Sequence, residues 1–97
     1  MTADEFLDSL LGDAPPTGLS VPLRGLWLSA KGEWDKAHVL VQDDPTADAA
    51  WVHAHLHRIE GDLGNAAYWY NRAGRRPSDA AIEEERMEMA TALLREA

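Results

Sequence analysis

The chain has 97 residues, 45% of them hydrophobic, with 17 acidic against 9 basic side chains and a formal charge of −8. That length suits a single domain over residues 1–97, and the acidity excludes a general nucleic-acid binder, which needs a cationic footprint. No cysteine is present, so disulfides, thiolate catalysis and Cys-ligated zinc are excluded and a cytoplasmic setting is expected.

Met1–Phe6 is acidic and lacks the basic start and apolar run of a leader. Nothing approaches the roughly 20 apolar residues that span a bilayer, so no membrane partner is expected. Thr2-Ala3-Asp4-Glu5 fits a capping box, in which the Thr2 hydroxyl and the Glu5 carboxylate each satisfy the other's backbone N–H. Phe6, Leu7, Leu10 and Leu11 then form the apolar face of a first helix. Asp13–Gly18 carries two prolines and a glycine and reads as a loop.

Ser20 caps a second helix, with Pro22 tolerated in its first turn and Leu23, Leu26 and Trp27 on its apolar side. A third helix carries Trp34, Ala37, Leu40 and Val41 and stops at Asp43-Asp44-Pro45. Thr46 caps a fourth, from about Ala47 to Glu60. Gly61 supplies a left-handed stop and Asp62 caps a fifth helix, which presents Leu63, Ala66, Ala67, Tyr70 and Ala73. Pro77-Ser78 opens a sixth, with Ile82, Met89, Ala90, Leu93 and Leu94 on its buried side and Glu83-Glu84-Glu85 as a solvated first turn. The fold class expected is all-α.

One segment occurs twice. Gly32-Glu33-Trp34-Asp35-Lys36-Ala37 is echoed by Gly61-Asp62-Leu63-Gly64-Asn65-Ala66, an offset of 29 residues (32 to 61, 37 to 66). A fixed period in this range is what stacked helical hairpins produce. Ala50-Trp51, Gly61-Asp62, Ala66, Tyr70, Ala73 and Pro77, with a degenerate earlier copy in Gly25, Gly32, Trp34, Ala37 and Val41, resemble the tetratricopeptide repeat over about residues 20–77. The resemblance implies two stacked antiparallel hairpins, an N-terminal helix and a C-terminal capping helix, serving as a protein- or peptide-interaction module; leftover apolar surface allows a homo-oligomer. In that register Trp51, His55 and Arg58 line the inner, ligand-facing side, and His53 and His57 take core positions facing the fifth helix. The period is shorter than the family's usual repeat. Trp51–Asp62 and Tyr68–Gly74 also resemble a family of small bacterial proteins, which implies no activity.

His53, His55 and His57 alternate along the fourth helix. His53 and His57, four apart, share a face, and His55 points the other way. Glu60 lies three beyond His57, so His53, His57 and Glu60 can converge as an open site for a divalent metal such as zinc, which makes a small metalloprotein or metal-dependent enzyme the alternative function. The competing reading is structural: buried histidines bonded to Tyr68, Tyr70 or Asn71 of the next helix, with acid–base or pH-sensing use a third. Trp69 falls off the Leu63–Ala66–Tyr70 stripe and is either an inter-hairpin contact or an exposed partner-binding anchor beside Trp51, His55 and Arg58. Arg72, Arg75 and Arg76 form the basic cluster at the end of the fifth helix.

Overall fold

A computed structural model describes residues 1–95 and contains six α-helices, with no strand among the described residues. They are α1 (Ala3–Ser9), α2 (Val21–Ala30), α3 (Trp34–Gln42), α4 (Ala47–Glu60), α5 (Leu63–Ala73) and α6 (Ile82–Arg95). Four of the six starts are set by side-chain caps: Thr2 with the reciprocal Glu5 bond, Ser20 on Leu23 N–H, Thr46 on Ala49 N–H and Asp62 on Asn65 N–H. No helix among the described residues is long and apolar enough to cross a membrane.

Gly32 and Gly61 end α2 and α4 in the same way. Both are left-handed, at φ 80° and 83°. Each donates its N–H three residues back, Gly32 to Ser29 O and Gly61 to Arg58 O. The next residue then closes the wider loop, Glu33 N–H to Leu28 O at 3.0 Å and Asp62 N–H to His57 O at 2.9 Å. These turns fold α3 back on α2 and α5 back on α4, and α3 also packs on α4. The Trp34 indole N–H fixes that last contact by donating to Leu56 O at 2.7 Å.

α4 is the hub. Every residue from Ala49 to His57 is buried, because α2, α3, α5 and α6 all pack on it. Around it sit Phe6, Leu23, Leu26, Trp27, Val41, Leu56, Met89 and Leu93. The short α1 is tied to α2 by the Trp27 indole N–H, which donates to Ser9 Oγ at 3.0 Å, and by Lys31 Nζ, which donates to Leu10 O and Gly12 O.

Three expectations change. The sixth helix starts at Ile82, not at Pro77-Ser78. Pro77 has no N–H to give, and the Ala80 carbonyl is taken by Arg58 Nη2, so the chain ahead of Ile82 is held by tertiary bonds. Nor does α6 cap the stack beyond α5. It packs against α1, α2 and α4, because its apolar residues Met89, Ala90 and Leu93 are joined on their face by Glu85, whose partners lie on α4 and α5. Finally, Leu11 and Leu63 are 91% and 67% exposed. Leu11 falls beyond the end of α1, and on α5 only Ala66 and Tyr70 are buried.

Gly25 marks the closest approach of α2 to the hub. A Cβ there would lie 2.7 Å from Val41 Cγ1 and 3.4 Å from Val52 Cγ1. Gly25→Ala gains about 1 kcal/mol of helix propensity but crowds two buried β-branched side chains, at about 1–3 kcal/mol. The expected outcome is a net loss of about 1 kcal/mol, read as a melting temperature lower by roughly 4–8 °C. Adding Val41→Ala should recover part of it.

Candidate metal centre

α4 carries polar side chains on two opposite faces. On one, His53 and His57 stack on each other with centroids 4.9 Å apart. α3 brings His38 to them, one turn after Trp34, and the His53 and His38 Nε2 atoms are 3.0 Å apart. Aromatic rings wall the group: Trp69 of α5 stacks on His53 at 3.8 Å, and Trp34 stacks on His38 at 4.9 Å while meeting His57 edge-on. His38, His53 and His57 each offer a ring nitrogen, and the three lie within 4.8 Å of one another.

That spacing suits a shared cation. Zinc–nitrogen bonds of about 2.0–2.1 Å at tetrahedral angles separate donor atoms by roughly 3.3 Å. The His38–His53 pair is already near that value, and no separation in the trio, all within 4.8 Å, exceeds it by more than roughly 1.5 Å. Between the two Nε2 atoms a single proton is shared, one ring donating and the other accepting, and a cation bound there would take that proton's place. His53 is 4% exposed, and its Nδ1 has no hydrogen-bond partner among the described residues.

Glu60 is held against His57. It accepts a hydrogen bond from His57 Nδ1–H at 2.5 Å. A carboxylate only accepts, so His57 carries a proton on Nδ1, and Nε2 is the ring atom left for a cation. A carboxylate bonded to the far nitrogen of a histidine ligand fixes its tautomer and raises its basicity. Glu60 thus orients His57, and His38 adds a third imidazole to the cluster. His57, Glu60 and Asp62 form a second convergent set, in which Asp62 already caps α5.

Electrostatics leaves the rings ready to coordinate. Burial first, then the neighbouring His38 and His57 charges, lowers the His53 imidazole to about 4. His38 is also lowered, by burial and by His57, against the opposing pull of Glu60 and Asp35. At neutral pH both therefore offer lone pairs rather than protons.

On the opposite face, His55 is fully buried and Nδ1–H donates to Glu85 Oε1 at 2.6 Å. The same oxygen accepts from Arg58 Nη1 at 2.8 Å, and Oε2 accepts from the Tyr70 hydroxyl. Burial would raise the Glu85 carboxyl, but the bonds from His55, Tyr70 and Arg58 outweigh it and hold the group below the usual range. Burial and the Glu85 bond push the Tyr70 phenol up. Glu85 is thus 1% exposed, not part of a solvated face.

The docking face inferred from the tetratricopeptide register is occupied in part by the chain itself, while Trp51 lines a cleft with Arg75, Arg76, Ser78 and Glu88. His55 and Arg58 are bonded to α6, Trp51 is 6% exposed with the Arg75 guanidinium 3.4 Å over its ring, and Trp69 backs His53. Tyr70 serves Glu85 rather than His53 or His57. Comparisons with family models, with curated proteins and with solved structures give no match to the chain.

Two members of these sites lie on helical spacings that the sequence carries. Trp34 and His38 are one turn apart on α3, and Glu85 precedes Met89 and Leu93 at intervals of four on the buried stripe of α6. Each departs from a pure apolar pattern by one polar residue, which is the signal that identifies them.

Two outcomes follow from this geometry. Glu85→Ala strands His55, Tyr70 and a guanidinium in a buried setting, and should cost about 3–5 kcal/mol in denaturant unfolding. His53 is lowered in the fold from 6.5 to about 4, so the unfolded chain binds the extra proton between those values. Stability from this group is complete above about pH 6.5 and is lost as pH falls towards 4, by at most roughly 3 kcal/mol. Melts of metal-free protein across that range should show a steeper fall in the wild type than in His53→Gln.

Proposed function

We propose that this protein binds one divalent transition-metal ion, zinc or a cation of similar preference, through His38, His53 and His57, with Glu60 orienting His57 from outside the coordination sphere. The reading rests on one observation: three imidazoles from α3 and α4 bring their ring nitrogens within 4.8 Å, with one pair at 3.0 Å. Imidazole suits zinc, copper and nickel, whereas calcium and magnesium demand oxygen donors. Rigid helices supply all three rings, so little ordering entropy opposes binding.

The Trp34 and Trp69 stacks support the same reading, since they restrict ring rotation and keep water from His53. A purely structural role would satisfy each histidine within the protein. His55 and His57 have carboxylate partners, but His53 and His38 have only each other at Nε2. A peptide-docking role at His55 and Arg58 would require Glu85 to lose its bonds to them. Trp69, another residue of the docking set, is committed to the histidine side.

The test is titration of untagged, chelator-treated protein with Co2+, whose visible bands report tetrahedral nitrogen coordination, alongside elemental analysis after zinc loading. One ion per chain is expected, with thermal stabilisation of about 2.7 kcal/mol at a hundredfold excess over Kd. His57→Ala and His38→Ala should abolish it, and Glu60→Gln should weaken affinity about 10–100-fold. Stoichiometric binding that survives both histidine variants, or no binding by the wild type, would refute the assignment.

A further inference from the structure

A cleft of about 310 Å³ opens beside Trp51, one turn before His55 and on the side of α4 away from His53 and His57. Its walls are Trp51 of α4, Tyr70 of α5, Arg75, Arg76 and Ser78 of the connection to α6, and Glu88 of α6. The volume lies at the lower end of small-ligand sites, which set a few placed polar groups around a flat apolar surface. The Arg75 N–H, donating to Tyr70 O at 3.0 Å, closes the turn that brings both arginines to this wall.

Arg75 is set to receive an oxyanion. Its Cζ lies 3.4 Å from the Trp51 ring centroid. Turned on edge at that height, a guanidinium would bring a nitrogen within about 2.7 Å of the ring, well inside the roughly 3.5–4 Å of a contact. The group therefore lies flat on the indole. Stacking uses only its face, so the N–H fork in its plane stays free to donate. Neither Arg75 nor Arg76 forms an ion pair among the described residues, although the chain has 17 acidic side chains to 9 basic ones. The Ser78 hydroxyl accepts from Ala80 N–H at 3.2 Å, which leaves its own proton to donate.

Glu88 narrows the ligand. It is exposed and forms no ion pair among the described residues. The other carboxylate on the wall, Glu85, is already satisfied by His55, Arg58 and Tyr70. A simple anion on the arginines would face the Glu88 charge. A ligand that also carries an ammonium group turns that repulsion into a second charge-assisted bond. We propose that this cleft binds a small zwitterionic amino-carboxylate, with its carboxylate on Arg75, Arg76 and the Ser78 hydroxyl and its ammonium on Glu88. The site is separate from the histidine cluster and needs no metal.

The experiment titrates the full, metal-free chain with glycine, β-alanine and γ-aminobutyrate, which differ in the distance from ammonium to carboxylate. Acetate and inorganic phosphate are the comparison anions. Heteronuclear NMR follows the Trp51 indole N–H and the Arg75 and Arg76 amides. Expected is saturable binding of at least one amino-carboxylate in the millimolar range, with shifts centred on those groups and acetate about tenfold weaker. Arg75→Gln should weaken it about tenfold or more and Glu88→Gln about fivefold or more. Both positions are exposed, so unchanged shifts elsewhere separate lost binding from lost folding. No saturable shift with any of the three amino-carboxylates would overturn the site. Acetate binding as tightly as the best of them, or phosphate more tightly, would overturn the ligand class. Shifts centred on the Trp34 and Trp69 indoles instead would overturn the location.

Discussion

The structure depends on α4 being enclosed on every side. A helix packed by four others has no solvent face on which to place polar residues, so each one must be paired by a neighbour or be costly. His53, His55 and His57 therefore dictate what surrounds them. Their alternation sends one imidazole to α6 and two to α3 and α5, so a single turn-and-a-half of helix organises both polar centres of the molecule.

The His55 side shows how such a demand fixes topology. Glu85 receives three donors, from His55, Arg58 and Tyr70, and these belong to α4 and α5. A buried carboxylate with that set of partners is stable in one position of α6 and costly in any other. Apolar contacts at Met89 and Leu93 would permit some sliding; the carboxylate does not. The His53 side solves the same problem with rings, since Trp34 and Trp69 cover flat imidazole faces that cannot hydrogen-bond.

Local chemistry was well legible in the sequence. Thr2, Ser20, Thr46 and Asp62 act as caps, and Gly32 and Gly61 turn the chain by identical bonds, because these features need only neighbours along the chain. What depends on distant partners was not. The position of α6 hinges on Glu85, which sits in a run of three glutamates that differ only in which way they face. The third imidazole, His38, comes from another helix. The spacing of His53, His57 and Glu60 foresaw the approach of these side chains, and the His57–Glu60 hydrogen bond is its local expression.

The two indoles packed against the imidazoles have a practical consequence. An excited indole in contact with a protonated imidazole or an open-shell metal ion loses emission by electron or energy transfer. Trp34 and Trp69 both touch the cluster, whereas Trp27 is hydrogen-bonded to Ser9 and Trp51 lies under Arg75. Half of the chain's four tryptophans thus form an intrinsic fluorescent gauge of the histidines' state, readable without label or tag.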